Sequence, residues 1–139
     1  MISDNFQKGE LACLKVEQIA LEKGYIVSKP TIEGTRYDRI IDCNNRLYRV
    51  QIKYAGTKQT NSEGCICIDL RKKTNSGKKI SSYNRNEVDV VLAYIPEIDK
   101  VCWFEPDLFE GKQTLTIRYE PSKNGQVKNI IFAENYIWN

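Results

Sequence analysis

From residue 4 to 23 apolar side chains recur at helical spacing. At about 100° per residue, Phe6, Ala12, Cys13, Val16, Ile19 and Ala20 fall on one arc, which Leu14 and Leu21 extend; Lys8, Lys15 and Glu22 fall outside it. The pattern predicts an amphipathic helix ended by Gly24, with Asp4 as its N-cap. Glu10 falls inside the extended arc, which predicts a semi-buried carboxylate. Such a group costs free energy unless a cation, metal or hydrogen-bond donor meets it.

After Gly24 the period changes from helical to strand-like. Tyr25 to Lys29 predicts a strand stopped by Pro30, and residues 32 to 35 a turn or loop. Arg36 to Asp42 and Arg46 to Tyr54 predict two further strands around an Asn44-Asn45 hairpin turn. On the second of these, Leu47, Arg49, Gln51 and Lys53 share one face, and Tyr48, Val50, Ile52 and Tyr54 the other. A polar loop from Gly56 to Gly64 precedes a short strand at Cys65 to Leu70. The basic, Ser/Asn/Gly-rich stretch from Arg71 to Asn86 predicts an extended loop. Val88 to Ile95 is an almost unbroken apolar run, the signature of a central buried strand. Val101 to Phe104 is expected to pair with it across the turn at residues 97 to 99, and Thr114 to Tyr119 is a further strand. Asn129 to Trp138 is an aromatic segment of less definite structure. One helix, a three-stranded meander and more strands suggest a mixed α/β fold: a mixed sheet flanked by few helices.

The 139 residues, 41% hydrophobic and 28% charged, are expected to form a single domain over 1–139 with one core. No apolar run approaches the roughly 20 residues of a membrane helix. No secretory pattern opens the chain, so an intracellular location is expected, in a bacterial cytoplasm or an organelle. The five cysteines form no CxxC pair and are expected to be free and mostly buried.

The lack of histidine narrows the chemistry more sharply. It excludes Ser-His and Cys-His triads, His-ligated zinc sites and histidine general bases, leaving carboxylates, Lys, Tyr and oxygen-bound metal ions. Net charge is only +3, but Arg71, Lys72, Lys73, Lys78 and Lys79 crowd one acid-free stretch. Such a stretch is either a phosphate-contacting loop or an ordinary solvated one.

The densest constellation is Asp38 on one predicted strand with Gln51 and Lys53 on the next. Gln51 and Lys53 project to the same side, and Asp38 is the carboxylate best placed to converge on them. An aspartate, a second oxygen ligand and a lysine suffice for metal-assisted phosphodiester hydrolysis. Oxygen ligands hold a hard Mg²⁺ ion, and the lysine positions or deprotonates water or stabilises developing negative charge. In isolation, an Asp at a strand edge and a Gln-x-Lys pair on a polar face are also ordinary solvated residues.

Gly9-Glu10-Leu11-Ala12, then Arg36-Tyr37-Asp38-Arg39-Ile40-Ile41-Asp42, then Tyr48-Arg49-Val50-Gln51-Ile52-Lys53-Tyr54-Ala55 together resemble the PD-(D/E)XK nuclease superfamily. More narrowly they resemble its branch encoded by group I introns, in which glutamine replaces the middle acid. Tyr37 stands where the nominal motif has proline. Asn86 to Pro96 and Val101 to Phe104 resemble the strand pair that follows in that branch; beyond about residue 106 no specific match is visible.

The resemblance implies a restriction-endonuclease-like core with a central mixed β-sheet flanked by helices. It implies a homing-type, site-specific endonuclease that breaks both strands of DNA by Mg²⁺-dependent hydrolysis, with Mn²⁺ substituting. Asp38 would be the main metal-bridging acid, Gln51 a neutral oxygen ligand and Lys53 the catalytic lysine. Glu10 would complete the metal shell beside the Ile52 backbone carbonyl. A Holliday-junction resolvase, a restriction-type nuclease or a non-catalytic DNA-binding module are the alternatives within the same fold.

Candidates for DNA contact are Arg36, Lys58, Arg71, Lys72, Lys73, Lys78, Lys79 and Arg85 toward phosphate. Asn84-Arg85-Asn86, with Gln59, Asn61 and Asn75, are candidates for base edges. Tyr83 and Tyr94 read as core aromatics. Cutting two strands implies a homo-oligomer, dimer or tetramer. Trp103, Phe104, Leu108 and Phe109, or Tyr136 to Trp138, supply either its interface or, by preference, the core.

Overall fold

The structure is a computed structural model that describes residues 5–56, 63–73, 79–121, 124–125 and 128–139. Its centre is a five-stranded mixed sheet of order β1-β2-β3-β7-β8. The strands are β1 (Ile26–Ser28), β2 (Arg39–Cys43), β3 (Arg46–Tyr54), β7 (Val90–Ile95) and β8 (Lys100–Phe104). The first three pair antiparallel as a meander, β3 and β7 run parallel, and β7 and β8 are antiparallel. Asn44 and Asn45 take φ of 53° and 75°, the left-handed pair that a two-residue hairpin turn requires, so the β2–β3 register follows from local chemistry.

Helix α1 (Asn5–Glu22) covers one face of this sheet; Asp4, its expected N-cap, lies outside the described residues. Ala12, Val16 and Ala20 are buried against Ile41, Val50, Ile52, Val90 and Leu92. The expected arc is therefore too wide. Small residues let the helix settle on its Ala-Val-Ala stripe, while Phe6 stays 89% exposed and Leu14 and Leu21 also remain exposed. Glu10, expected to be semi-buried, is exposed for the same reason.

The opposite face is covered by an antiparallel pair, β4 (Cys65–Asp69) with β9 (Thr114–Arg118), and by the single turn α2 (Pro106–Phe109). Ile66, Ile68, Leu70, Leu115 and Ile117 meet Val91, Ala93, Cys102 and Phe104 in a second core. Between these two layers every residue of β7 is buried, as its unbroken apolar run predicted. Phe104 and Phe109 lie fully in the core, with Trp103, Leu108, Tyr136, Ile137 and Trp138 packed against it or its counterpart under α1. The core reading of these aromatic and apolar residues holds.

The basic stretch expected as a loop instead holds two short strands, β5 (Arg71–Lys73) and β6 (Lys79–Ser82), paired antiparallel. Its Lys, Ser and Asn residues carry no hydrophobic alternation, so the pairing left no trace in the pattern. The last segment forms a 3₁₀ turn at Ala133–Asn135, tied to the rest by isolated bridges, Cys102 to Ile137 and Arg118 to Phe132. The five cysteines are free, with Cys65 and Cys102 buried. No helix among the described residues is long and apolar enough to cross a membrane.

Candidate functional site

β2 and β3 part company at Asp38. The Asp38 amide still donates to the Val50 carbonyl at 2.8 Å, but the next β3 amide on that flank, Ile52, donates to the Asp38 carboxylate at 2.8 Å. A side chain thus takes the place of a main-chain partner where the ladder ends. Along a strand the N–H and C=O of one residue point to the same flank. The Ile52 carbonyl therefore points toward the edge that β2 leaves, beside Asp38. Asp38 thus stands at the end of the ladder, just outside the Arg39–Val50 pair, with Gln51 the next residue of β3 beyond it.

Gln51 and Lys53 share the face away from α1, the face covered by β4 and β9. Gln51 is 9% exposed, one of two buried polar residues among those described. Lys53 reaches Tyr83, whose hydroxyl accepts its ammonium at 3.2 Å. Tyr83 is buried, and burial pushes its hydroxyl up to about 12, with the nearby Asp38 charge adding to the shift. Asp38, Gln51, Ile52 and Lys53 thus occupy one end of the β2–β3 junction. A cleft of about 360 Å³ opens beside it, bordered by the Thr31–Thr35 loop, Tyr37, Asp38 and Arg39.

Glu10 stands on α1, over the opposite face of the sheet from Gln51 and Lys53. Cys13 on the same helix feels the charges of both Asp38 and Glu10. Burial raises this thiol to about 11; Arg39 opposes the shift, and Asp38, Glu10 and Glu17 add to it. Arg39, 8% exposed, lies 3.4 Å from Glu17 and donates to the Asp38 carbonyl at 2.7 Å, which ties the start of β2 to the helix.

The donor set around Asp38 consists of carboxylate, amide carbonyl and backbone carbonyl oxygens. Among the described residues no three His, Cys, Asp or Glu side chains gather as a metal cluster. Oxygen donors of mixed charge suit a hard cation such as Mg²⁺, which keeps several waters and needs only one or two carboxylates, and they do not suit zinc.

Three arginines among the candidate DNA-contact residues are paired with acids. Arg36 meets Glu87 at 3.2 Å and Arg71 meets Asp69 at 3.0 Å. Arg85 meets Glu110 at 2.8 Å and Asp107 at 3.0 Å. Asn84 donates to Glu87 at 2.6 Å and accepts the Asn86 amide at 2.9 Å, so its side chain shapes the turn that leads into β7. Lys72, Lys73 and Lys79 lie on β5 and β6. Lys58 and Lys78, with Gln59, Asn61 and Asn75, lie outside the described residues.

Two contributors escaped the sequence reading. Tyr83 looked like a core aromatic, and it is one, but its hydroxyl also meets Lys53. Glu87 joins Arg36 to Asn84. Only the Asn84-to-Glu87 spacing of a capped turn hinted at the second.

A model of the PD-(D/E)XK endonuclease family matches residues 3–138. Among solved structures the chain is similar to a bacterial homing endonuclease, I-Ssp6803I, at 25% identity and a TM-score of 0.75, covering 97% of this chain and 89% of that one. No curated protein gives a significant match. The mixed sheet with its flanking helices is accordingly the restriction-endonuclease-like fold. With the family match running through almost the whole chain, the protein belongs to the PD-(D/E)XK endonucleases.

Proposed function

We propose that the chain is a homing-type, site-specific DNA endonuclease that breaks both strands by Mg²⁺-dependent phosphodiester hydrolysis. The observation that carries this reading is the Asp38 carboxylate held on the amide of Ile52, the residue between Gln51 and Lys53. Similarity to a bacterial homing endonuclease supports the choice of substrate.

Asp38, the Gln51 side-chain oxygen and the Ile52 carbonyl would hold the ion; Glu10, on the α1 side of the sheet, shares with Asp38 the neighbourhood of Cys13 and would complete the shell from that side. A bound Mg²⁺ would supply Lewis-acid chemistry toward the phosphate and the attacking water. Lys53, an ammonium with three donors, orients the attacking water or supports the charge that grows on the phosphate oxygens as the P–O bond to the leaving group breaks. Glutamine contributes no charge, so metal affinity rests on Asp38 and Glu10. Arg36, Arg71 and Arg85 would meet backbone phosphates on exchange with their carboxylate partners, and the lysines of β5 and β6 would add further phosphate contacts. Cutting both strands needs two such sites, hence a homo-oligomer, dimer or tetramer.

The test is cleavage of linear duplex spanning the uninterrupted form of the host gene, with Mg²⁺ or Mn²⁺, by the wild type and Lys53→Ala. Double-strand cuts by the wild type alone support the reading. Cutting confined to four-way junctions makes the protein a resolvase. Tight, salt-sensitive binding without cleavage makes it a binding module.

A further inference from the structure

Tyr83 follows β6 directly and is 2% exposed, packed in the core beneath β4 and β9. Two cations meet at its ring: the Lys53 ammonium lies 5.1 Å from the centroid and the Arg36 guanidinium 4.9 Å. The charged groups around it come from several elements. Lys53 stands on β3, Arg36 and Asp38 precede β2, Asp69 ends β4, and Glu87 precedes β7. Gathering two like charges at a buried ring is unfavourable in water-poor surroundings. The negative ring face, the hydroxyl oxygen and the Glu87 partner of Arg36 offset the repulsion. A lysine stem is long and loses much rotamer freedom when held still, so an anchor on its ammonium matters for placement.

We propose that Tyr83 is a positioning residue. Its hydroxyl and ring seat Lys53 for attack chemistry and share that seat with Arg36, so that a phosphate drawn to Arg36 arrives beside an already oriented Lys53. This rests on Lys53 being the catalytic lysine and Arg36 a phosphate contact. Tyr83 itself stays protonated and neutral, so it supplies no proton step.

The experiment measures single-turnover cleavage and DNA affinity for Tyr83→Phe, Lys53→Ala and the double variant, with duplex target and Mg²⁺. Tyr83→Phe keeps the ring and the packing. It should slow cleavage about 10-fold with DNA affinity unchanged, the scale of a small misplacement of a reacting group. In the Lys53→Ala background the same change should have no further effect. Tyr83→Leu, which removes the ring, should slow cleavage further and also weaken DNA binding, because Arg36 loses its seat. Wild-type cleavage by Tyr83→Phe beside a crippled Lys53→Ala overturns the inference alone, as does an equal loss in both backgrounds. Full cleavage by Lys53→Ala overturns the assignment of Lys53 and the inference with it.

Discussion

The Asp38 carboxylate accepts the Ile52 amide at 2.8 Å, closing the β2–β3 ladder with a side chain. Asp38→Asn keeps an oxygen for that amide and removes the charge. It should therefore melt within about 1 kcal/mol of the wild type, the worth of one ordinary hydrogen bond. Cleavage should fall at least 100- to 1,000-fold, on the order of losing an electrostatic catalytic group. Thermal melts beside single-turnover assays separate the two effects, and an active Asp38→Asn protein removes Asp38 from the chemistry.

Gln51 is nearly buried, so a charge placed there is felt strongly. Gln51→Glu should lower the melting temperature without metal, because an ionised carboxylate is costly to bury. Adding Mg²⁺ should then raise it more than in the wild type, through tighter binding to the folded state. Equal Mg²⁺-induced shifts in the two proteins would show that position 51 does not face the ion.

Arg49 and Asp89 lock β3 to the start of β7: Asp89 accepts the Arg49 amide at 2.8 Å and its guanidinium at 3.1 Å. The guanidinium hydrogen bonds hold the Asp89 carboxyl below its ordinary value of 3.8. A carboxyl depressed by folding contributes stability that is complete above its unfolded value. That contribution is lost as pH falls through the lower folded value. Asp89→Asn should therefore cost about 1 kcal/mol at neutral pH, a half-exposed ion pair's worth, and the gap from wild type should shrink below about pH 4. Denaturant melts between pH 2 and 7 check this, and a constant gap would refute it.

Arg85 is held by Glu110 and Asp107 rather than left to solvent. The Glu110→Gln, Asp107→Asn double variant should bind non-specific duplex more tightly. Its salt slope should steepen by about one if the released guanidinium takes up a phosphate. Binding isotherms at several salt concentrations give the slope, and an unchanged slope places Arg85 off the DNA surface.

Asn45, at φ 75°, sits where glycine is the least strained residue. Asn45→Gly should stabilise the chain by up to about 1 kcal/mol and leave cleavage unchanged, whereas Asn45→Val should destabilise it. Thermal melts of the pair read this directly.

The elements that were legible share a cause. β3 was read with its observed ends because its alternation is clean and the Asn-Asn turn before it has only one comfortable geometry. β7 was plain because burial on both faces leaves an unbroken apolar run, though the strand itself starts two residues later, at Val90. α2 is a single turn, too short to display a period, and β5 and β6 pair through main chain beneath side chains with no alternation. That Asp38, Gln51 and Lys53 lie near one another was readable because a hairpin gathers neighbours in the sequence. Tyr83 was not, because it comes from 30 residues downstream and nothing in its local pattern tells a buried ring from a buried ring that touches a lysine. The depth of Glu10 was misjudged because a hydrophobic arc on a helix does not say how wide a stripe the sheet will accept.

β3 continues to Tyr54 after its pairing with β2 ends at Arg39 and Val50, and the amide that comes next is already taken by a negative side chain. A strand flank that outruns its neighbour ordinarily invites a foreign strand to add to the sheet. A carboxylate accepts a main-chain amide but presents none of the alternating donors and acceptors that an incoming strand needs. The Asp38 carboxylate in that place would hinder intermolecular extension of the sheet as well as offer an anion at its edge. Loss of that aspartate should accordingly show itself in aggregation on storage as well as in lost cleavage.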